Sequence, residues 1–325
     1  MDLDVVFLGT AGSMPTARRG PSATLIRRGG ERLLVDCGEG TQRQLLRSDV
    51  GLVDLQEIFL THFHADHVLG LPGMLKTFAL RGRELPLTVY GPRGLGDLWQ
   101  ALGRIVGRLT FEVAVVELAP DAVLPRDGYE LRTFAVRHGR DAIGYVLAED
   151  ERPGQFDVET ATALGVPFGP ERGVLQRGVA VTLADGTTVT PEQVLGDTRP
   201  GRKLALTGDT APSDHVVDAA FGADLLVHEA TFCEDEAERA RETQHSTALE
   251  AARVGQDAQV RLLALTHLSS RYGGGDVERE ARTVFPDTVV PRDFDLIEIP
   301  FPERGGPELL KRGARLPRAE VPSGP

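Results

Sequence analysis

Four side chains of the kinds that ligate metals fall within six residues of this chain: His62, His64, Asp66 and His67, in the segment LTHFHADHVLG that continues from the strand-like EIFLT. Such a cluster needs a backbone that is fixed and turning, as at the end of a strand. The two-residue step from His62 to His64 lets both imidazoles project from one side of an extended or turning chain, and Asp66 and His67 reach a second position as a helix begins. Two clustered metal ions can therefore share one loop. Imidazole and carboxylate donors suit zinc or manganese, and an oxygen-bearing donor set leaves room for a bound water.

Short apolar, β-branched runs recur along the chain: VVFLG near residue 5, ATLIRR, RLLVD, EIFLT, LTVYG, FEVAVVEL, YVLAE, KLALTGD, DLLVHEA, RLLALTH and LIEIP. Each reads as a strand. Helices are predicted over Thr41–Arg47, Leu71–Arg81, Leu95–Val106, Ser246–Gln256 and Asp276–Val284. In the fourth, Thr247 and Glu250 have capping-box spacing, which starts that helix just after His245. So many strands exclude a helical bundle, and the helices are too few for one-to-one βαβ alternation. Two packed sheets flanked by helices, an α/β class, fit best.

The 325 residues suffice for one large or two modest domains. Their net charge of −12 argues against a protein basic all over and held to nucleic acid by bulk charge, so a polyanionic partner must be met locally. Only two cysteines occur, Cys37 and Cys233, neither in a C-x-x-C pair, which gives no disulfide framework and fits a reducing compartment. The first residues are acidic where a signal peptide needs positive charge, and no apolar run approaches the roughly 20 residues that span a bilayer. A cytoplasmic protein without a membrane partner is expected.

Arg152 to Leu195 differs from its surroundings, with ten Gly or Pro among 44 residues and only weak strand signals. It reads as a protruding insertion with a small hairpin around Asp185-Gly186. Glu303 to Pro325 mixes Gly, Pro and charge without periodicity and reads as a flexible tail, leaving 1–302 as the catalytic domain.

A metal pair on the His62–His67 loop needs further donors. Asp209 ends the strand-like LALTGD, where a carboxylate could bridge two ions, and His267 ends RLLALTH, in which L-T-H repeats Leu60–His62. His138 follows one more strand, although a lone histidine there is as readily structural. His215 lies in a polar APSDH segment and His228 beside Glu229, and both are read as structural.

The H-x-H-x-D-H motif resembles the signature of the metallo-β-lactamase superfamily. The order of segments is similar to that of its ribonuclease Z family over most of the chain, through LGTAGSMPT, LLVDCGEGTQRQL, THFHADH, LPGMLKTFALRGRELPLTVYGP, the His138 and GDT segments, HEATF and THLSSRY. The resemblance implies a four-layer αβ/βα sandwich with a dinuclear site at one edge. It implies one metal held by His62, His64 and His138, a second by Asp66, His67 and His267, and Asp209 bridging both, with Asp36 orienting a ligand imidazole. Two Zn2+ per subunit are expected, with Mn2+ as a substitute.

By the same resemblance Asp66 is also the general base, and His245, held and charged by Glu229, protonates the departing oxygen. The implied activity removes the 3′ trailer of precursor transfer RNA after the discriminator nucleotide and leaves a 3′ hydroxyl. The insertion at 152–195 would be an arm that grips the transfer RNA elbow, with Gly169, Pro170, Arg172 and Arg177 as contacts, and the family usually forms homodimers. The arm departs from a simple basic grip: Arg152, Arg172 and Arg177 stand against Asp157, Glu159, Glu171, Asp185 and Glu192. The alternative is a small-molecule metallo-hydrolase of the same superfamily, a sulfatase, lactonase or phosphodiesterase, for which so long an arm has no use.

Overall fold

A computed structural model describes residues 1–52 and 55–311 of the chain. These residues form two compact units, one of residues 1–125, 131–147 and 202 onward, the other of 126–130 and 148–201. In chain order the first elements are β1 (Leu3–Gly9), β2 (Ala23–Arg28), β3 (Glu31–Val35), α1 (Thr41–Arg47), β4 (Glu57–Phe59), α2 (Ala65–Val68), α3 (Gly70–Leu80), β5 (Leu87–Pro92), α4 (Leu95–Val106) and β6 (Val113–Leu118). There follow β7 (Val123–Arg126), β8 (Tyr129–Ala135), β9 (Ile143–Glu149), α5 (Val158–Ala163), α6 (Pro170–Gln176), β10 (Val181–Thr182), β11 (Thr188–Val189) and β12 (Lys203–Leu206). The chain continues with α7 (Asp214–Ala220), β13 (Leu225–Glu229), α8 (Ala237–Thr243), α9 (Ala248–Asp257), β14 (Leu262–Thr266), α10 (Gly274–Ala281), β15 (Thr288–Val289), β16 (Leu296–Glu298) and β17 (Glu308–Leu310).

Two large sheets result, as the strand pattern predicts. One has the order β17-β16-β1-β2-β3-β4-β5-β6, the other β15-β14-β13-β12-β9-β8-β7. The steps β3 to β4 to β5 to β6 and β12 to β13 to β14 to β15 are all parallel. Each of these steps carries at least one intervening helix, because a parallel partner can be reached only by a crossover.

The first sheet is buried on both faces at its middle, so a strand there such as β1 runs apolar rather than alternating, while the edge strand β6 is partly exposed. On one face Val6, Leu8, Leu25, Leu34, Ile58 and Val89 pack against Leu71, Met74, Leu75 and Phe78 of α3 and Leu95, Leu102 and Val106 of α4. On the other face the Phe59 ring meets that of Tyr145, on β9, edge to face at 5.4 Å. The buried Tyr145 hydroxyl is satisfied by donating to Leu60 O at 2.7 Å. Helix, sheet, sheet and helix thus make the four layers that the resemblance implies.

Thr41–Arg47 and Leu95–Val106 are helical as predicted. The capping box is closed in both directions, Glu250 N–H to Thr247 Oγ1 at 3.1 Å and Thr247 N–H to Glu250 Oε2 at 2.9 Å. Other expectations are corrected. The tail boundary at 303 is too early, since Glu308–Leu310 pairs antiparallel with β16; residues 312–325 of that segment lie outside the described residues. His215 stands in the first turn of α7, not in a loop.

The arm is a unit in its own right and wider than 152–195. Ala161, Val166, Leu175, Val189 and Val194 form its small core. The hairpin at Asp185-Gly186 exists, with Gly186 at φ 89° supplying the turn between β10 and β11.

Candidate metal centre

The ligand-type side chains stand at strand ends of both sheets. The chain leaves β4 at Phe59 and turns, so that His64 precedes α2 while Asp66 and His67 occupy its first turns. His138 follows β8, Asp209 follows β12, Glu229 is the last residue of β13, and His267 follows β14. Asp36 and His267, both non-glycine residues at the site, hold left-handed backbone at φ 60° and 58°, a conformation retained only where the surroundings dictate it. Gly208, at φ 63°, brings the Asp209 loop so close to Thr61 that a Cβ would lie 2.7 Å from the Thr61 side chain.

His62, His64, His138 and Asp209 converge as one group of donor atoms, and Asp66, His67 and His267 as another. Asp209 faces both. Its Oδ2 is 3.6 Å from His62 Nε2 and 3.7 Å from His138 Nε2, while its Oδ1 is 3.4 Å from His67 Nε2 and 3.3 Å from His267 Nε2. Within the groups, His138 Nε2 lies 3.1 Å from His64 Nδ1, and His267 Nε2 lies 3.1 Å from Asp66 Oδ2. Four donors set about 2.0–2.1 Å from a zinc ion at tetrahedral corners stand about 3.3 Å apart, which is the spacing found here. Buried His62 Nε2 and Asp209 Oδ1 have no hydrogen-bond partner, and both point where an ion would satisfy them. The residues therefore fit a pair of divalent ions.

An outer set of hydrogen bonds orients these donors. Asp36 Oδ2 sits 2.7 Å from His67 Nδ1, and Asp36 also accepts the backbone N–H and hydroxyl of Thr61 at 2.9 and 3.0 Å. Gln244 O is 3.0 Å from His138 Nδ1, and Thr231 Oγ1 is 2.8 Å from His267 Nδ1. With each Nδ1 engaged, Nε2 of His67, His138 and His267 is the nitrogen left to bind. Asp66 Oδ2 accepts from Ser13 N–H at 2.8 Å. The Ser13 loop can approach because Gly12 has no side chain; a Cβ there would stand 2.6 Å from His267 O.

Beside the cluster lies a second device. Glu229, buried, places Oε1 2.7 Å from His245 Nδ1 and accepts from Thr210 N–H, while its Oε2 accepts from the backbone and hydroxyl of Thr231. Burial opposes a charged His245, but the Glu229 carboxylate outweighs it and pushes the imidazole up to about 9. Burial likewise raises Glu229, and His245 pulls it below its ordinary value. Asp66 and Asp209 are penalised by burial, yet the surrounding imidazoles hold both below the usual carboxylate range. Burial and the neighbouring His67 depress His62 to about 2, leaving it the neutral imidazole that a metal requires.

The structure thus brings together nine of the site residues expected from sequence, namely Asp36, His62, His64, Asp66, His67, His138, Asp209, Glu229 and His267, with His245 against Glu229. Thr231, Thr61, Gln244 and the Ser13 amide were not expected; hydroxyls and backbone groups carry no motif, and only proximity in space reveals them. His228 is buried with Nδ1 2.7 Å from Glu229 O, and its Nε2 has no hydrogen-bond partner among the described residues. In the arm, Gly169 precedes α6 and Pro170 occupies its first turn. Arg172 is directed inward, donating to Pro167 O, Val166 O and Thr162 Oγ1 and lying over the Phe168 ring, whereas Arg177 lines an arm cavity of about 680 Å³.

Among the described residues no helix is long and apolar enough to cross a membrane. The sequence model of the metallo-beta-lactamase superfamily matches residues 16–258. Relatives named Ribonuclease Z include those of Natronomonas pharaonis, 49% identical over 93% of this chain and 100% of the relative, and Haloferax volcanii, 48% identical over 94% and 98%. The crystal structure of human tRNase Z, short form, superposes with a TM-score of 0.66 at 28% identity, covering 91% of this chain and 99% of that one. A metallo-beta-lactamase fold protein from Bacillus subtilis, at 21% identity and TM-score 0.68, shares the fold. With this fold, this donor set and relatives of that identity over nearly its whole length, the chain belongs to the ribonuclease Z family of the metallo-β-lactamase superfamily.

Proposed function

We propose that the protein is an endoribonuclease that removes the 3′ trailer of precursor transfer RNA, using two zinc ions per subunit for which manganese can substitute. The observation that carries the reading is the placement of Asp209, with one carboxylate oxygen toward each group of histidines. The first ion would be held by His62, His64 and His138, the second by Asp66, His67 and His267, with Asp209 common to both. When bound, such metal would supply an acidified water and offset charge gathering on the phosphodiester oxygens.

The remaining work falls to the chain. Asp66, kept ionised and fixed by the Ser13 amide and His267, takes the proton of the attacking water. His245 has Nδ1 committed to Glu229, so Nε2–H faces the leaving side and delivers its proton to the departing O3′. That oxygen leaves as the 3′ hydroxyl of the transfer RNA, and the phosphate stays on the trailer. A cavity of about 320 Å³ opens beside His245, lined by Ser13, Thr231, Arg239, Ser269 and Arg271 among others, and its donors suit a phosphodiester. The arm, with its own core, supports a substrate too large for the metal cleft alone, and Gly169, Pro170, Arg172 and Arg177 are its proposed contacts. The reading includes a cytoplasmic homodimer; Leu46, Leu80 and Ile105, exposed on α1, α3 and α4, offer apolar surface for a second copy.

The test is single-turnover cleavage of a precursor carrying a 3′ trailer, with zinc or manganese supplied. Wild type should cut after the discriminator, Asp66→Ala should be inactive, and deletion of residues 153–194 should abolish precursor cleavage while a small phosphodiester is still hydrolysed. Metal-loaded wild type that leaves the precursor intact but hydrolyses small esters refutes the assignment.

A further inference from the structure

We propose that Gln244 is a positioning residue that fixes the metal-facing His138 against the proton donor His245. The inference rests on the metal-centre reading and adds to it a coupling between the two devices of the site.

Gln244 ends α8 in the left-handed region, at φ 57° and ψ 45°. A helix end of this shape is the usual place for glycine, or for asparagine, and a longer side chain there is disfavoured unless it does something. Here both acceptors of the residue go to one loop. The carbonyl oxygen is 3.0 Å from His138 Nδ1, and the side-chain Oε1 accepts from Gly139 N–H at 2.7 Å. The next peptide unit leads directly into His245, whose N–H donates to Ala240 O at 2.8 Å and whose Nδ1 meets Glu229. The imidazoles of His138 and His245 lie with centroids 4.8 Å apart. On the far side, Ser246 Oγ donates to Thr210 O at 2.6 Å, tying the same loop to the Asp209 segment.

Residues 138 and 139 are thus clamped twice by one residue. The carbonyl sets the His138 tautomer, leaving Nε2 toward His64 and Asp209. The side-chain amide holds the loop so that the carbonyl contact keeps its register. The segment before residues 138 and 139 is held at Arg137, whose N–H donates to Thr210 Oγ1 and whose carbonyl accepts from Ala211 N–H, so the Gln244 amide secures the exposed Gly139 end, itself at φ 61°. Without the amide the Gly139 end of the loop loses its tie to Gln244, the carbonyl contact to His138 is left to hold the register alone, and the frame shared by the ion site and the proton donor loosens.

Three variants separate this role from a merely structural one. Gln244→Gly removes the amide while easing the left-handed backbone, Gln244→Ala removes the amide alone, and Gln244→Glu keeps an acceptor of the same reach. Zinc affinity is read by chelator competition, kcat and KM on a trailer-bearing precursor in excess zinc, and thermal midpoint on the same samples. The Gly and Ala variants should bind one of the two ions about tenfold more weakly and lose about tenfold in kcat, with KM within about twofold, since removing a group that orients a ligand imidazole typically costs 10–100-fold. Gln244→Glu should recover to within about threefold of wild type. Wild-type zinc affinity and kcat in Gln244→Gly, or a Gln244→Glu as impaired as Gln244→Ala, would overturn the proposal. The zinc ranking is independent of RNA: a wild type that binds zinc but spares the precursor refutes the proposed substrate and leaves this inference to the affinity data.

Discussion

Replacing Glu229 by glutamine should move the alkaline limit of activity to lower pH by about two units. In the wild type the Glu229 carboxylate pushes His245 up to about 9 against an ordinary 6.5, on the order of 3 kcal/mol between its charged and neutral forms. Burial opposes that charge, so the carboxylate 2.7 Å away must overcome it. Glutamine keeps the shape and removes the charge. What remains is burial against the more distant Asp209 and Asp66, which takes the imidazole to its ordinary value or below. At pH 7.5 the donor would then be protonated in about a tenth of molecules or fewer, where the wild type is almost fully protonated, and kcat would fall about tenfold on that account alone. Bound cations lower both proteins alike, so the separation between the two limits is the quantity to measure. The assay is single-turnover cleavage in saturating zinc from pH 5.5 to 10, with recovery expected toward acid in the variant. A second reading comes from stability without metal. A raised histidine stabilises fully below its unfolded value near 6.5 and loses that contribution as pH rises through about 9, so urea midpoints should fall across this window in the wild type and stay flatter in Glu229→Gln. Coincident pH limits for the two proteins would refute the reasoning.

Asp36→Asn keeps the size of the side chain but replaces a charged acceptor of His67 Nδ1; zinc affinity measured by chelator competition should fall 10–100-fold, in the range typical for partners of ligand histidines. Thr231→Val strands the ring N–H of His267 and removes one donor from Glu229, for an expected loss of about 1–3 kcal/mol in denaturant unfolding together with lower kcat. Met74→Ala opens a cavity in the fully buried α3 interface and should cost about 2–5 kcal/mol in stability, with kcat at low temperature unchanged.

The His62–His67 loop is legible because its chemistry is local: six residues carry four donors, and the turn between β4 and α2 presents them. The remaining donors lie about 70 to 200 residues further on, and residue type alone cannot say which of the other five histidines join the loop. Resemblance supplied that list, and the distances around Asp209 agree with it. Thr231 and Gln244 escape any such reading, since a threonine in HEATF or a glutamine before His245 carries no sign of what it touches. Elements divide along the same line. Strands buried on both faces, such as β1 and β14, stand out as apolar runs. The edge strand β7 is alternately exposed and carries no such run, and α8, AERARET, buries only Ala240. The arm is wider than its composition suggests because its unit also takes in residues 148–151 and 196–201 on either flank and Arg126–Glu130, which precede it in the chain.

The donors of the metal centre come from strand ends between His62 and His267, so the first group is incomplete until β12 has joined its sheet and the second until β14 has. A chain still being synthesised carries the H-x-H-x-D-H loop long before Asp209 or His267 exists. Such a chain has three histidines and a carboxylate to offer an ion, but no closed cage. Tight metal uptake is then a late event and reports that the two sheets have met. Once made, the bonds cross-link the amino-terminal and carboxy-terminal sheets over some 200 residues, adding to folding free energy only in the finished molecule. Metal bound there for hydrolysis would at the same time be a certificate of assembly, withheld from truncated or misassembled chains.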